Sequence, residues 1–305
     1  MSESETETLE GRILRGVGGF YYVETGDGRI YSCRARGSFR RDDIRPLPGD
    51  RARFVITHEE DREGSLTEIM ERKSVLIRPA VANADQALLF FAVKNPDPSL
   101  NLVDRYLLFL AQYDLPAVLV FNKRDIAEKE DLATLSATYG ASGHPLCFLS
   151  VRTGEGMEEF KKVLEGKTTV LAGPSGAGKS SLINRICPMA DAETGELSRK
   201  LSRGKNTTRH SELFRVGDSS DSWIVDTPGF TALELPDIEP TEVPAAYHEF
   251  VPYLGSCRFA SCLHAEEPDC AIREAVERGE IPPVRYENYR MILRELREKQ
   301  ARRYR

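Results

Sequence analysis

The sequence predicts a three-part chain: a small β-barrel, a central parallel α/β domain, and a mostly helical C-terminal part organised around cysteine and histidine. Three observations carry this reading. Residues 10–72 hold short strand candidates punctuated by Gly and charge. From about residue 73, continuous apolar strands alternate with amphipathic helices. After about residue 237 the composition turns to Pro and Glu and then to three clustered cysteines with a histidine. The 305 residues suffice for two or three domains; 40% apolar and 30% charged residues allow buried cores under a solvated surface.

The barrel rests on GRILRGVGGFYYVET, RIYSCRARG, DRARFVIT and SLTEIMER. Asp27-Gly28 is a hairpin dipeptide, because both residues tolerate the left-handed backbone that tight turns require. Several short strands in so short a stretch point to a small antiparallel barrel. Residues 1–9 read as a disordered acidic tail, too acidic and polar for a signal or transit peptide.

In the centre, ALLFFAV (87–93), PAVLVFNK (116–123), PLCFLS (145–150), TTVLAG (168–173) and SWIVD (222–226) are strand candidates. LVDRYLLFLAQY (102–113), MEEFKKVLEG (157–166) and SLINRIC (181–187) are helix candidates between them. Strands apolar on both faces imply a parallel sheet covered by helices on both sides. The predicted parts are residues 1–9 (tail), 10–72 (barrel), 73–237 (α/β domain) and 238–305 (metal-binding domain). The last ends in a helix over 284–305, with Tyr286, Tyr289, Leu293 and Leu296 on one side and eight basic residues against three acidic ones.

Several classes are excluded. No apolar run approaches the ~20 residues of a membrane span, and six cysteines are too sparse for a disulfide scaffold. A net charge of −6, from 42 basic and 48 acidic residues, makes no global case for nucleic acid, so local patches must make it. The expectation is a soluble, cytoplasmic protein. Cys33, Cys147 and Cys187 are scattered and read as small apolar packing residues.

GPSGAGKS at 173–180 fits G-x-x-x-x-G-K-[ST], between a predicted strand and a predicted helix. In the loop of Gly173, Pro174, Ser175, Gly176, Ala177 and Gly178, the glycines let backbone N–H groups converge on phosphate oxygens, Pro174 having none to offer. Lys179 can reach the β and γ phosphates and Ser180 can ligate Mg²⁺; Ser181 follows in the same site. This loop does not choose a base, since ATP kinases and transport ATPases use similar ones.

Base choice comes from NKRD, Asn122-Lys123-Arg124-Asp125, at the C-terminal end of an apolar strand, where α/β proteins place ligand residues. The Asp125 carboxylate can accept from guanine N1–H and its exocyclic amine; adenine presents no such pair. Asn122 and Lys123 would hold the loop and pack on the base. Ser150 and Val151, with Arg152 after them, could meet the guanine edge through their backbone. Asp226 of DTPG (226–229) suits Mg²⁺, and the Gly229 N–H can sense the γ-phosphate. In the polar stretch GKNTTRH (204–210), Thr208, preferred over Thr207, could complete the Mg²⁺ shell of a switch loop; an ordinary basic loop is the competing reading.

Together these elements are the GTPase set in an unusual order, with the base-reading pieces before the phosphate pieces. The same sheet can arise from a chain cut and rejoined elsewhere, and the switch after DTPG then runs directly into the C-terminal region. Cys257, Cys262, His264 and Cys270, spaced C-x4-C-x-H-x5-C, are three thiolates and one imidazole suited to one closed, structural, tetrahedral Zn²⁺. His248 lies outside that cluster.

The chain resembles the circularly permuted, ribosome small subunit-dependent GTPases of bacteria. RGSFR (36–40), RPAVANADQ (78–86), NKRD, GPSGAGKS, GKNTTR, DTPGF and CRFASCLHAEEPDC carry the resemblance over about residues 36–270. It implies an OB-fold barrel, a circularly permuted P-loop GTPase domain and a C-terminal zinc domain. It also implies GTP and GDP as ligands, and binding to the 30S subunit and its 16S rRNA late in assembly, with hydrolysis stimulated by that subunit. A monomer with no membrane partner is expected.

Two departures touch catalysis. Phe230 follows DTPG where Ras-like enzymes place a water-orienting Gln, and an apolar group cannot position water. Asn206 stands where the family often has His before the paired threonines, and His210 is out of register. The catalytic group is therefore left open, with Asn206 and Thr208 as candidates. For RNA, Tyr21, Tyr22, Tyr31, Phe39, Arg34, Arg36, Arg40 and Arg41 of the barrel and the basic last helix are candidates. The reading from another class is an RNA-binding scaffold in which nucleotide is only a structural ligand.

Overall fold

The computed structural model describes residues 8–187, 211–217, 221–227, 235 and 237–303. These residues form two compact units. The first draws on 1–86, 161–172 and 180–230, and the second on 87–160, 173–179 and 231–305.

In the first unit, β1 (Thr8–Val17), β2 (Phe20–Thr25), β3 (Ile30–Ala35), β4 (Arg51–His58) and β5 (Glu63–Ile69) close a barrel in the order β1-β2-β3-β5-β4. The expected turn is present: Gly28 sits between β2 and β3 at φ +82°, and the Thr25 hydroxyl donates to Asp27 Oδ1 at 2.5 Å. The sequence reading differs at two points. The barrel is not wholly antiparallel, since β3 and β5 run parallel, joined across the short helix α1 (Gly37–Arg41) and β4. Closing five strands without an edge requires that crossover. Also, β1 begins inside the stretch expected as tail, with Thr8 opposite Val55 and Leu9 opposite Phe54. Ile13, Val23, Tyr31, Cys33, Phe54 and Leu66 are fully buried inside the barrel.

The same unit holds a short hairpin, β6 (Val75–Leu76) with β7 (Val81–Ala82). It also holds β11 (Thr168–Ala172), parallel to β13 (Trp223–Asp226), which pairs antiparallel with β12 (Glu212–Arg215). The strand β12 escaped the sequence reading because ELFR is short and half polar. Its polar side chains meet the barrel: Glu212 pairs with Arg15, and Arg215 with Glu24 at 3.0 Å. Trp223 lies between two guanidiniums, Arg12 at 5.2 Å and Arg215 at 4.4 Å from the ring centre. Of the scattered cysteines, Cys33 and Cys187 are buried as expected, whereas Cys147 is partly exposed.

In the second unit, β8 (Gln86–Ala92), β9 (Ala117–Asn122) and β10 (Leu146–Phe148) are parallel neighbours in the order β10-β9-β8. Every residue of β8 and β9 is buried, as the apolar runs 87–92 and 117–121 require, and polar Gln86 and Asn122 are buried at their ends. The connecting helices are α2 (Leu100–Ala111) and α3 (Lys129–Tyr139), and α4 (Met157–Leu164) begins after β10; α5 (Lys179–Ile186), after β11, belongs to the first unit from Ser180 on. The first helix starts two residues before the expected stretch because the Ser99 side chain caps it, accepting the Leu102 N–H.

The C-terminal part packs two 3₁₀ segments, α6 (Ala271–Glu277) and α7 (Pro283–Arg303) around Tyr247, Phe250, Tyr289, Ile292, Leu293 and Leu296. The expected apolar side of α7 is therefore buried. One of its basic residues is not solvated, however: Arg285 is 1% exposed. It pairs with Asp104 of α2 and with Glu249, whose Oε1 accepts Arg285 Nε at 2.6 Å. Asn288 Nδ2 and the Tyr139 hydroxyl also donate to Asp104, at 2.7 and 3.1 Å. Burial pushes the Asp104 carboxyl up to about 6 against the opposing pull of Arg285, Asn288 and Tyr139. Among the described residues no helix is long and apolar enough to cross a membrane.

Removing Arg285 leaves two buried carboxylates without their cation. Arg285→Ala is expected to cost about 3–5 kcal/mol of stability in urea unfolding of the full chain. An unchanged unfolding midpoint would show that the cluster does not hold α2 to α7.

Candidate active site and metal centre

The end of β9 and the loop after β11 meet at one buried amide. Asn122 is 4% exposed. Its Nδ2 donates to the Ala177 carbonyl of GPSGAGKS at 2.8 Å, and its Oδ1 accepts the Val151 N–H at 3.0 Å. One side chain thus ties together NKRD, the 150–152 loop and the glycine-rich loop. The glycines make this possible. At Gly178 (φ +101°) a Cβ would lie 2.5 Å from Asn122 Nδ2, and at Gly173 (φ +143°) it would strike the Phe90 carbonyl.

Lys123 takes the left-handed backbone at φ +67° and donates from Nζ to the Asn95 carbonyl, a partner that no sequence pattern announced. A 3₁₀ turn, Arg124–Ile126, then presents Asp125. Ser150 donates to Asp125 Oδ1 at 2.5 Å and Arg152 Nε to Oδ2 at 3.0 Å. The Ser150 hydrogen bond, and then Arg152, hold the Asp125 carboxyl below its ordinary range. The Arg124 guanidinium pairs with Glu155 at 3.1 Å.

In the glycine-rich loop Ala177 is fully buried, while Ser175, Ser180 and Ser181 are exposed. Lys179 Nζ donates to the Gly173 and Pro174 carbonyls, both at 2.7 Å. The ammonium is therefore folded over its own loop. Ser180 follows in the first turn of α5. Asp226 closes β13 opposite Leu171, and the next residue, Thr227, donates its hydroxyl to the Leu171 carbonyl at 2.7 Å. Gly229, Phe230, Asn206, Thr207, Thr208 and His210 lie outside the described residues.

The second constellation is in the C-terminal part. The ligand atoms of Cys257, Cys262, His264 and Cys270 all lie within 4.8 Å of one another. Cys257 Sγ is 3.3 Å and Cys270 Sγ 3.5 Å from His264 Nδ1, and those two sulfurs are 3.9 Å apart. A tetrahedral zinc ion with ordinary bond lengths would set S···S edges of about 3.7–3.8 Å and S···N edges of about 3.5 Å. The donors fit zinc in kind and in spacing. Glu267, which the sequence reading passed over, folds the loop by accepting the Leu263, Ala265 and Glu266 N–H groups at 3.1, 2.9 and 3.1 Å. From α7, the Tyr286 hydroxyl donates to the His264 carbonyl at 2.9 Å and that of Tyr289 to the Leu263 carbonyl. His248 stands apart and exposed.

Comparison with known proteins agrees with this geometry. The RsgA N-terminal domain family matches residues 10–66, and the RsgA GTPase family matches residues 69–236. The chain belongs to the RsgA GTPase family. It is 43% identical to the small ribosomal subunit biogenesis GTPase RsgA of Agathobacter rectalis, over 96% of this chain and 99% of that one. It is 46% identical to the protein of that name from Caldanaerobacter subterraneus subsp. tengcongensis, over 98% and 99%. Among solved structures it resembles YjeQ from Thermotoga maritima, with a TM-score of 0.78, 35% identity and coverage of 95% and 99%. It also resembles YloQ, described as a circularly permuted GTPase, with a TM-score of 0.76, 34% identity and coverage of 98% of both chains. As an RsgA GTPase the chain is a GTP-hydrolysing enzyme with an OB-like barrel before a circularly permuted GTPase domain.

Within this family member the barrel's RNA candidates divide. Tyr31 and Phe39 are 0% and 4% exposed and belong to the barrel core, so neither can stack on a base. Strand alternation turns Tyr31 inward, and Phe39 enters the same core from α1. Tyr21 packs half-buried against the same core. Arg15 lies over Tyr22 at 4.5 Å, and Arg34 over the unforeseen Phe20 at 4.4 Å. Arg34, Arg36 and Arg41 are exposed, and the Arg40 side chain lies outside the described set.

The four-ligand geometry makes a direct prediction. Metal analysis should find one zinc per chain, and Cys262→Ser should lose it and lower the melting temperature of the C-terminal part. Equal melting of zinc-loaded and zinc-stripped protein would contradict a structural ion.

Proposed function

We propose that this GTPase is a late assembly factor of the small ribosomal subunit. It binds the 30S particle and its 16S rRNA in the GTP state and leaves after hydrolysis that the particle stimulates. The relatives' names supply the ribosomal part of this reading, and one observation carries the nucleotide part. The buried Asn122 amide bridges the Ala177 carbonyl and the Val151 N–H. That bridge brings a base-reading carboxylate and a phosphate-binding loop into register although they lie 48 or more residues apart in sequence, from Asp125 to Gly173.

In this reading Asn122, Lys123, Arg124, Asp125, Ser150 and Val151 surround guanine, and residues 173–181 surround the phosphates. Lys179 leaves its two loop carbonyls for phosphate oxygens, exchanging neutral acceptors for charged ones. Ser180 and Asp226, with Thr208, would hold Mg²⁺, whose charge would offset that building up on the phosphates, and the Gly229 N–H would sense the γ-phosphate. Phe230 offers the attacking water no hydrogen bond, so intrinsic hydrolysis is slow and the particle completes the site. Asn206 and Thr208 are the candidates within this chain. Cys257, Cys262, His264 and Cys270 would hold one zinc ion with no coordination position left for chemistry.

Residues 10–72, 73–237 and 238–305 are the proposed barrel, GTPase and zinc domains, working as a cytoplasmic monomer. Exposed Arg34, Arg36 and Arg41 on the barrel suit rRNA phosphates. So do Arg290, Arg294 and Arg297 of α7, which line one groove with Ala265 and Glu266.

Two measurements test this. Asp125→Asn should shift preference from guanine toward xanthine nucleotide, read by competition binding; retained guanine preference would overturn the base assignment. Cosedimentation with separated ribosomal subunits should show small-subunit binding with a non-hydrolysable GTP analogue and little with GDP. Binding indifferent to nucleotide would defeat the proposed cycle.

A further inference from the structure

The carboxylate that reads the base in the scheme above already has partners, and its two oxygens are filled differently. Oδ1 accepts from the Ser150 hydroxyl at 2.5 Å. Ser150 is fully buried, and its Oγ also accepts the Thr153 N–H at 3.1 Å, so it is fixed in place. Oδ2 accepts two donors from one guanidinium, Arg152 Nε at 3.0 Å and a terminal N–H of the same group. A carboxylate oxygen offers about two lone pairs. Oδ2 is thus filled.

Guanine brings two parallel donors, N1–H and the exocyclic amine. A two-pronged match needs one lone pair on each oxygen, so the guanine edge and the Arg152 fork compete for Oδ2. The competitors differ in freedom. The Arg152 side chain is 75% exposed, whereas that of Asp125 is 10% exposed. The arginine can retreat into water, where its charge is well solvated, and an exposed pair of this kind is worth little. The aspartate cannot retreat.

We propose that Arg152 is a displaceable latch on the base-reading carboxylate, keeping Asp125 oriented and paired while the pocket is empty and giving way when guanine arrives. This rests on the assignment of Asp125 as the guanine acceptor. The latch offsets part of the guanine binding energy and protects the pocket. A base lacking paired donors, such as adenine, returns nothing for the contacts it would break. Arg152 is a specificity-setting residue here, since it acts through Asp125.

The test is stopped-flow binding of a fluorescent GDP to the full chain. Arg152→Ala should speed association and tighten binding by up to about fivefold, the ceiling set by an exposed ion pair. Arg152→Lys, which offers a point charge instead of a fork, should fall between the two. In wild type the association rate should rise with salt as the ion pair is screened, and that rise should be absent in Arg152→Ala. Slower association in Arg152→Ala would mean that the arginine attracts nucleotide, and faster dissociation at an unchanged on-rate would mean that it clamps the bound base. Either result overturns the latch. Asp125→Asn separates the layers. If that variant turns toward xanthine but Arg152→Ala shows no gain, the latch alone fails. If it keeps its guanine preference, the base assignment fails and the latch with it.

Discussion

The proposed nucleotide site depends on a single buried amide. Asn122 has a donor group and an acceptor group on one short side chain, and it spends one on each of two loops that are remote in sequence. A buried amide without such partners would cost about 1–3 kcal/mol per unmade bond, so the loops and the side chain hold each other in place. Gly178 is the counterpart of that constraint, because any side chain there would collide with the amide. Circular permutation leaves this joint intact. What matters to it is which strand ends adjoin in space, not the order in which the chain visits them.

A second polar joint works differently. Arg285 lies among Asp104, Glu249, Asn288 and the rings of Tyr139 and Tyr247, at 5.2 and 4.6 Å from the ring centres. Ionic clusters this deep contribute little net stability, because desolvation cancels most of the attraction. Their value is in geometry: a fork that must meet two carboxylates tolerates one seating of α7 on α2. The same helix reaches the cysteine cluster through Tyr286 and Tyr289, whose hydroxyls hold carbonyls of the ligand loop. The GTPase-side helix, the last helix and the metal loop therefore share one rigid framework inside the second unit.

The metal loop itself is small. Only His264 and Cys270 are buried between Cys257 and Cys270, and Glu267 gathers three of the segment's N–H groups. A four-ligand ion would supply what such a segment cannot bury. The tyrosines of α7 then fix the loop's orientation rather than its fold.

Local chemistry was enough to read much of this protein. GPSGAGKS, NKRD, DTPG and the Cys3His spacing are short patterns whose chemistry depends on residues close together in sequence. The buried strands β8 and β9 declared themselves by long apolar runs, and β11 by a shorter one after two threonines. Other features depend on neighbours that sequence distance conceals. The parallel seam between β3 and β5, the inward turn of Tyr31 and Phe39, the pairing of β12 with the barrel and the burial of Arg285 all follow from long-range packing. An arginine in a basic helix looks the same whether it faces water or two carboxylates from other elements. The two donors that Arg152 sets on Asp125 are likewise a matter of where two loops come to rest, and only the folded chain brings them within hydrogen-bonding reach.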